Sequence, residues 1–164
     1  FPELFENEKI MCIRVVTKRL RFSYDDKGLY NSDNIVNCVR IDKLRRATHT
    51  TARKVCRLCK SFDFVSQYDM KFLLAILNSK LINWYFMSFI SEGLHCYPDD
   101  AKALPIIDIR TRQVNQDQII SLVNHIIELK SGDKDSQEID SQIDRMIYEL
   151  YGRSESEIAI IEAD

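Results

Sequence analysis

In the first third of the chain, apolar residues gather in short runs, one of which alternates with polar residues at every second position. Lys9–Val16 is rich in Ile, Val and Met, and Arg19–Tyr24 sets Leu20, Phe22 and Tyr24 against Arg19, Arg21 and Ser23. A period of two predicts strands, each with one apolar and one polar or cationic face. Asp25-Asp26-Lys27-Gly28 supplies turn chemistry, with Gly28 free to take positive φ, and Leu29-Tyr30 is expected to start a return strand. Asn31–Asn34 reads as a second turn leading into a strand over Ile35–Ile41. The stretch Ala47-Thr48-His49-Thr50-Thr51 reads as an exposed loop, and Val55–Val65 returns to strand-like composition.

Near Tyr68 the period changes. Leu73, Ile76, Leu77, Leu81, Trp84 and Met87 recur at three- and four-residue spacing, predicting one helix over Asp69–Ile90. Phe72, Tyr85, Phe86 and Phe89 fill its other sides, and the window 61–100 holds nine of the sixteen aromatics, marking it as the core. Gly93–Ala103 reads as a loop, and Leu104-Pro105-Ile106-Ile107 as a short strand. Asn115 with Gln118 resembles a capping box opening a helix striped by Ile119, Leu122, Val123, Ile126, Ile127 and Leu129. Asp135 or Ser136 caps the next helix, which carries Ile139, Ile143, Ile147 and Leu150 and ends at Gly152 in a left-handed cap. Ser154 and Glu157 form a further capping box before a last helix, Glu155–Glu162.

The fold class is therefore α+β: an N-terminal twisted, mostly antiparallel sheet with a central buried helix, followed by a C-terminal helical segment. One domain is expected over 1–164, with a β-rich part at 1–66, a core helix and short strand at 67–114 and an acidic helical tail at 115–164.

Charge changes this picture. The net charge of −2 hides a division, with +7 over residues 1–60 and −9 over 61–164. The basic excess lies in 40–60, where eight cations (Arg40, Lys43, Arg45, Arg46, Arg53, Lys54, Arg57, Lys60) face one acid, Asp42. Such a block is either a solvated surface or a phosphate-facing one. The acidic second half would not approach a phosphate backbone.

Catalytic and metal chemistry find little support. Cys56-Arg-Leu-Cys59 lacks a second Cys-x-x-Cys or a His pair to complete a zinc site. If Val55–Val65 is a strand, its two thiols also point to opposite faces. His95 beside Cys96 suggests a nucleophile pair, but sequence neighbours rarely make that geometry. Glycine-rich phosphate loops and Gly-x-Ser-x-Gly elbows are absent. Five scattered cysteines without a secretory signal predict reduced thiols and a cytoplasmic setting. No apolar run reaches the ~18 residues of a membrane span. An initial Phe1 in place of Met predicts a piece of a longer chain. The residues read as a recognition module.

Particular segments are similar to a known family. Leu4–Ile35 resembles the start of the TaqI-like C-terminal specificity domain, the target-recognition domain of adenine-specific DNA methyltransferases and single-chain restriction–modification enzymes. Phe72–Phe86, centred on Leu77-Asn78-Ser79-Lys80-Leu81, resembles that family's most recognisable helix. Leu104–Ile106 and Ile139–Glu162 resemble the family's later segments, in the same order. The resemblance implies duplex DNA as partner, together with a methyltransferase domain of the same parent chain. That domain would bind S-adenosylmethionine and flip an adenine out of the duplex. No cofactor, metal or catalytic residue is expected in this fragment.

The DNA-facing candidates are Arg19, Arg21, Arg40, Lys43, Arg45, Arg46, Thr48, His49, Thr50, Thr51, Arg53 and Lys54. Here the cations would take phosphates or guanines, and the Thr48–Thr51 loop would meet base edges. The other variant makes this loop an exposed linker, with reading from Arg14, Lys18, Arg19, Arg21 or Lys102. Two other readings stand beside this one: half of a type I specificity subunit, and a protein-interaction domain whose acidic helices dock a basic partner. An enzyme using Cys59 or Cys96 is the remotest reading.

Overall fold

Ile10 and Cys12 are the hinge of the sheet's packing: both are buried, both project from the central strand, and both face the helices. The computed structural model describes residues 1–91, 93, 95–110 and 115–163. Its strands are β1 (Lys9–Ile13), β2 (Phe22–Asp25) and β3 (Ile35–Val39). All pairs are antiparallel in the order β2–β1–β3. Ile10 lies opposite Tyr24 and Cys38, and Cys12 opposite Phe22 and Val36, so these six side chains form the inner face. The α+β expectation holds, with strands first and helices after.

A short helix, α1 (Glu3–Glu6), leads into β1. At the start of β1, fully buried Lys9 donates to the Asp25 carboxylate and to the carbonyl of Phe5. The Asp25 oxygens also accept from Lys27 N (3.1 Å) and Leu29 N (2.9 Å). Gly28 takes φ +72°, and a Cβ there would sit 3.6 Å from the Glu6 backbone. With the turn's amides bound to a carboxylate, Leu29-Tyr30 does not begin a strand, contrary to the sequence reading. Tyr30 instead stacks on Phe5 at 4.7 Å.

The long helix predicted over Asp69–Ile90 is two: α4 (Met70–Asn78) and α5 (Lys80–Phe89), bent by 58°. Apolar periodicity runs through the bend, which is why it reads as one helix. The break is made by Ser79, whose extended backbone ends α4 and begins α5. Its Oγ donates to Ile76 O (2.7 Å) and accepts from Ile82 N (3.3 Å). Asp144 supports the same junction by accepting from Lys80 N at 2.9 Å. Among the described residues no single helix is long and apolar enough to cross a membrane; the bent pair passes only on length and composition, and Phe72, Ile76, Ile82 and Phe86 are fully buried in the core.

The helices after α5 are α6 (Pro98–Lys102), α7 (Gln116–Ser131), α8 (Gln137–Leu150) and α9 (Glu155–Glu162). Helix α7 packs on α4, and both α8 and α9 pack on α5. Asn115 caps α7 by accepting from Asp117 N (3.2 Å), while Gln116, not Gln118, makes the long-range bonds, to Gln67 and Asp69. Gly152 is left-handed as expected (φ +65°), and Ser154 with Glu157 forms the expected capping box. Two expectations fail between them. Pro98–Lys102 is helical within the predicted 93–103 loop, whose Leu94 lies outside the described residues. Leu104–Ile107 is not a strand either. Its backbone is held by tyrosine hydroxyls, with Tyr151 donating to Pro105 O (2.7 Å) and Tyr68 to Ile107 O (2.8 Å). The end of the predicted 67–114 segment also lies outside the described residues.

Candidate nucleic-acid interface

In the basic stretch 40–60 the expected loop holds for Ala47, Thr48 and His49, whereas Thr50 and Thr51 open a helix, and helices replace the strand over Val55–Val65. A 3-10 turn, Ile41–Leu44, is followed by α2 (Thr50–Leu58) and then by α3 (Phe62–Val65). Thr48, Thr50, Thr51 and Val55 are β-branched and lower the helical signal. Burial overrides them. Ala52 projects inward one turn before Cys56, and with Leu44, Ala47, Val39 and Phe1 they make a small core separate from the main one. His49 caps the helix: its Nδ1 accepts from Thr51 N (3.3 Å), and its ring stacks on Phe1 at 4.4 Å.

This placement sorts the sequence-derived candidates. Arg40 is a structural cation, because Nε and Nη2 grip both Asp42 oxygens (2.7 and 3.2 Å) while Nη1 donates to Tyr68 O at 2.8 Å. His49 is committed to capping. Arg45 lies over the Phe62 ring at 4.6 Å, which fixes its guanidinium without neutralising it. Lys43, Arg46, Arg53 and Lys54, together with Arg57 and Lys60, are exposed, and none makes an ion pair among the described residues. The acidic tail does not quench them: its paired carboxylates, Glu157 and Glu162, bind Arg153 and Lys80. Residues 43–62 contain no Asp or Glu at all. Thr48, Thr50 and Thr51 are exposed beside these cations.

Arg19 and Arg21 do not belong to this surface. They precede β2, at the end of the sheet where Phe22 pairs with Cys12, whereas Arg40 leaves β3 beyond Val39, opposite Lys9. The two groups therefore lie at diagonal corners of the sheet. Arg19 and Arg21 instead border a cavity of about 660 Å³ between β2, α4, α7 and α8, shared with Asn78, Lys130 and Asp140.

Cys12 and Cys96 are buried, and Cys38, Cys56 and Cys59 are half-buried. Cys56 sits in the small core with its thiol 3.8 Å from Ile41 O, and Cys59 ends α2, so the opposite-faces argument for a strand does not apply. Burial pushes the Cys38 thiol up to about 11. Contact with Cys96, then burial, raises the Cys12 thiol well above its ordinary value. Among the described residues no group of three or more His, Cys, Asp or Glu is placed to hold a metal ion.

The profile of the TaqI-like C-terminal specificity domain matches residues 2–107, well over half of the chain. This chain belongs to that family. No curated protein matches it. Membership in the specificity-domain family associates the fold with DNA target recognition in restriction–modification enzymes. The matched span of the specificity domain contains the whole sheet, the cationic turn–helix unit and the bent α4–α5 pair. Sequence reasoning missed the exposed apolar residues of α2, Val55 and Leu58. The available signal was the four-residue spacing of Ala52 and Cys56, which marks the inward face and leaves Leu58 outside.

Proposed function

We propose that this domain grips duplex DNA and selects the site at which an adjoining catalytic domain of the same parent chain works. That catalytic domain is read as an N6-adenine methyltransferase using S-adenosylmethionine, with or without a fused endonuclease, in the cytoplasm. The specificity domain is non-catalytic in this reading and contributes position and sequence choice.

The observation that carries the reading is the unneutralised cation set mounted on the 3-10 turn and α2. Like charges gathered without acidic neighbours raise the local potential, and a polyanion relieves it while releasing condensed counterions. Phosphate contacts from Lys43, Arg45, Arg46 and Lys60 would set register, and the outward face of α2 would stand nearest the base edges. The acidic α7–α9 half disfavours an approach from the other side.

Binding of a short duplex at increasing salt tests this. Four phosphate contacts predict a fall of roughly 100-fold between about 50 and 200 mM salt. Indifference to salt, or to replacing Arg45, Arg46, Arg53 and Lys54 together by Ala, would remove this surface from the proposal.

A further inference from the structure

We infer that α2 reads the major groove through an apolar edge, Thr51–Val55–Leu58, that meets the 5-methyl groups of thymines. This deepens the DNA-binding reading above and rests on it.

Leu58 is 74% exposed, more than any other large hydrophobic side chain among the described residues, and Val55 is 43% exposed. Single exposed apolar residues are ordinary. Here they fall in one place. Thr51, Val55 and Leu58 stand at i, i+4 and i+7, one continuous edge of a helix with 3.6 residues per turn. Arg53 and Arg57 form the opposite edge, and Thr50 and Lys54 run between the two. Ala52 and Cys56 take the inward side and are occupied by the small core.

The outward surface is thus cationic on one flank and apolar on the other. A phosphate-tracking helix has no use for the second flank. A groove-reading helix does, because the thymine methyl is the one apolar group that B-DNA displays in its major groove. Dimensions agree: an α-helix is about 10–12 Å across with its side chains, against a groove about 12 Å wide. Lys43 and Arg46 before the helix and Lys60 after it can reach phosphates on either rim while the helix lies between. A protein occupant is disfavoured by the charge, since any partner covering Leu58 would also have to neutralise Arg53, Lys54 and Arg57.

The test uses the 164-residue chain and a duplex pool with a randomised core. Enriched duplexes are then remade with deoxyuridine for thymine, which removes only the methyl group. The expected result is about three- to tenfold weaker binding of the uracil duplex. Leu58→Ser should weaken binding to the thymine duplex by a similar factor, bind thymine and uracil duplexes equally, and keep the parent salt slope. Val55→Thr, nearly isosteric, provides the same readout should Leu58→Ser disturb folding by circular dichroism. Salt-dependent binding that enriches no sequence, or uracil and side-chain losses that simply multiply, overturns this inference and leaves the DNA-binding reading standing. Absence of salt-dependent duplex binding removes both.

Discussion

The side chain of Asn78 occupies the open edge of the sheet at Phe22. Its Oδ1 accepts from Phe22 N at 3.0 Å, and its Nδ2 donates to Phe22 O at 2.9 Å. One amide thus does for β2 what a fourth strand would do, meeting both outward-facing backbone groups of that residue. It also ties the last residue of α4 to the sheet, beside the bend at Ser79. The Leu77-Asn78-Ser79 motif therefore has a structural meaning: Asn78 closes an edge strand, and Ser79 turns the chain into the next helix.

Asn78→Ala should cost about 2–3 kcal/mol, because two hydrogen bonds vanish and two backbone groups lose their partners. Asn78→Asp should be no better, since it keeps the acceptor for Phe22 N and sets a carboxylate oxygen against Phe22 O. Urea unfolding of the two variants, compared at equal m-value, measures this.

At the other corner of the sheet, the Lys9–Asp25 pair is sealed from solvent. Burial alone would raise the Asp25 carboxyl, but the bonds from Lys9, Lys27 N and Leu29 N hold it below its ordinary 3.8. A depressed carboxylate contributes stability that is fully present above about pH 4 and is lost as pH falls through its folded value. Asp25→Asn should flatten this acid limb. At neutral pH it should cost about 3–5 kcal/mol, because Lys9 is left buried without its counter-charge. Thermal unfolding from pH 2 to 7 shows both effects.

Arg40 and Arg53 separate structure from binding. Arg40→Ala removes a bidentate hold on Asp42 and a bond to Tyr68 O, and should destabilise the fold by about 1–3 kcal/mol. Arg53→Ala should leave stability within about 0.5 kcal/mol and weaken binding of the preferred duplex by about 1–3 kcal/mol, the worth of a base-edge contact. Denaturation and binding titrations on the same two variants are sufficient.

Arg19→Ala with Arg21→Ala addresses the diagonal corner. If α2 and its turn carry the phosphate contacts, this double variant should keep the parent salt slope. A drop of about two contacts would shift the interface toward the β2–α8 cavity.

Much of the fold was legible because its signals were redundant. The Ile-, Val- and Met-rich run around Ile10 and Cys12, the striped α7 and α8, and the glycines at 28 and 152 each agree with their surroundings. Three of the errors share one cause: a side-chain hydrogen bond decides against the local pattern. Asp25 binds the amides that would have opened a return strand, and Ser79 bends a helix whose apolar period continues. The hydroxyls of Tyr68 and Tyr151 take the place of a neighbouring strand for residues 105–109. Charge marked out the candidate interface along the chain but not its conformation. The β-branched residues of α2 point toward strand, and only the small core under Ala52 and Cys56 makes them helical. Charge also could not show that Arg40 is spent inside the molecule, nor that Arg19 and Arg21 lie elsewhere.

The small core beneath α2 shares no buried residue with the main one. Load in this molecule is therefore carried in two places, and the outward positions of α2 bear almost none of it. Exchanging Arg53, Val55, Arg57 or Leu58 alters what the helix displays without disturbing what holds the sheet and the bent helices together. If α2 reads DNA as proposed, such a scaffold would let new target preferences arise by few substitutions, each nearly neutral for folding.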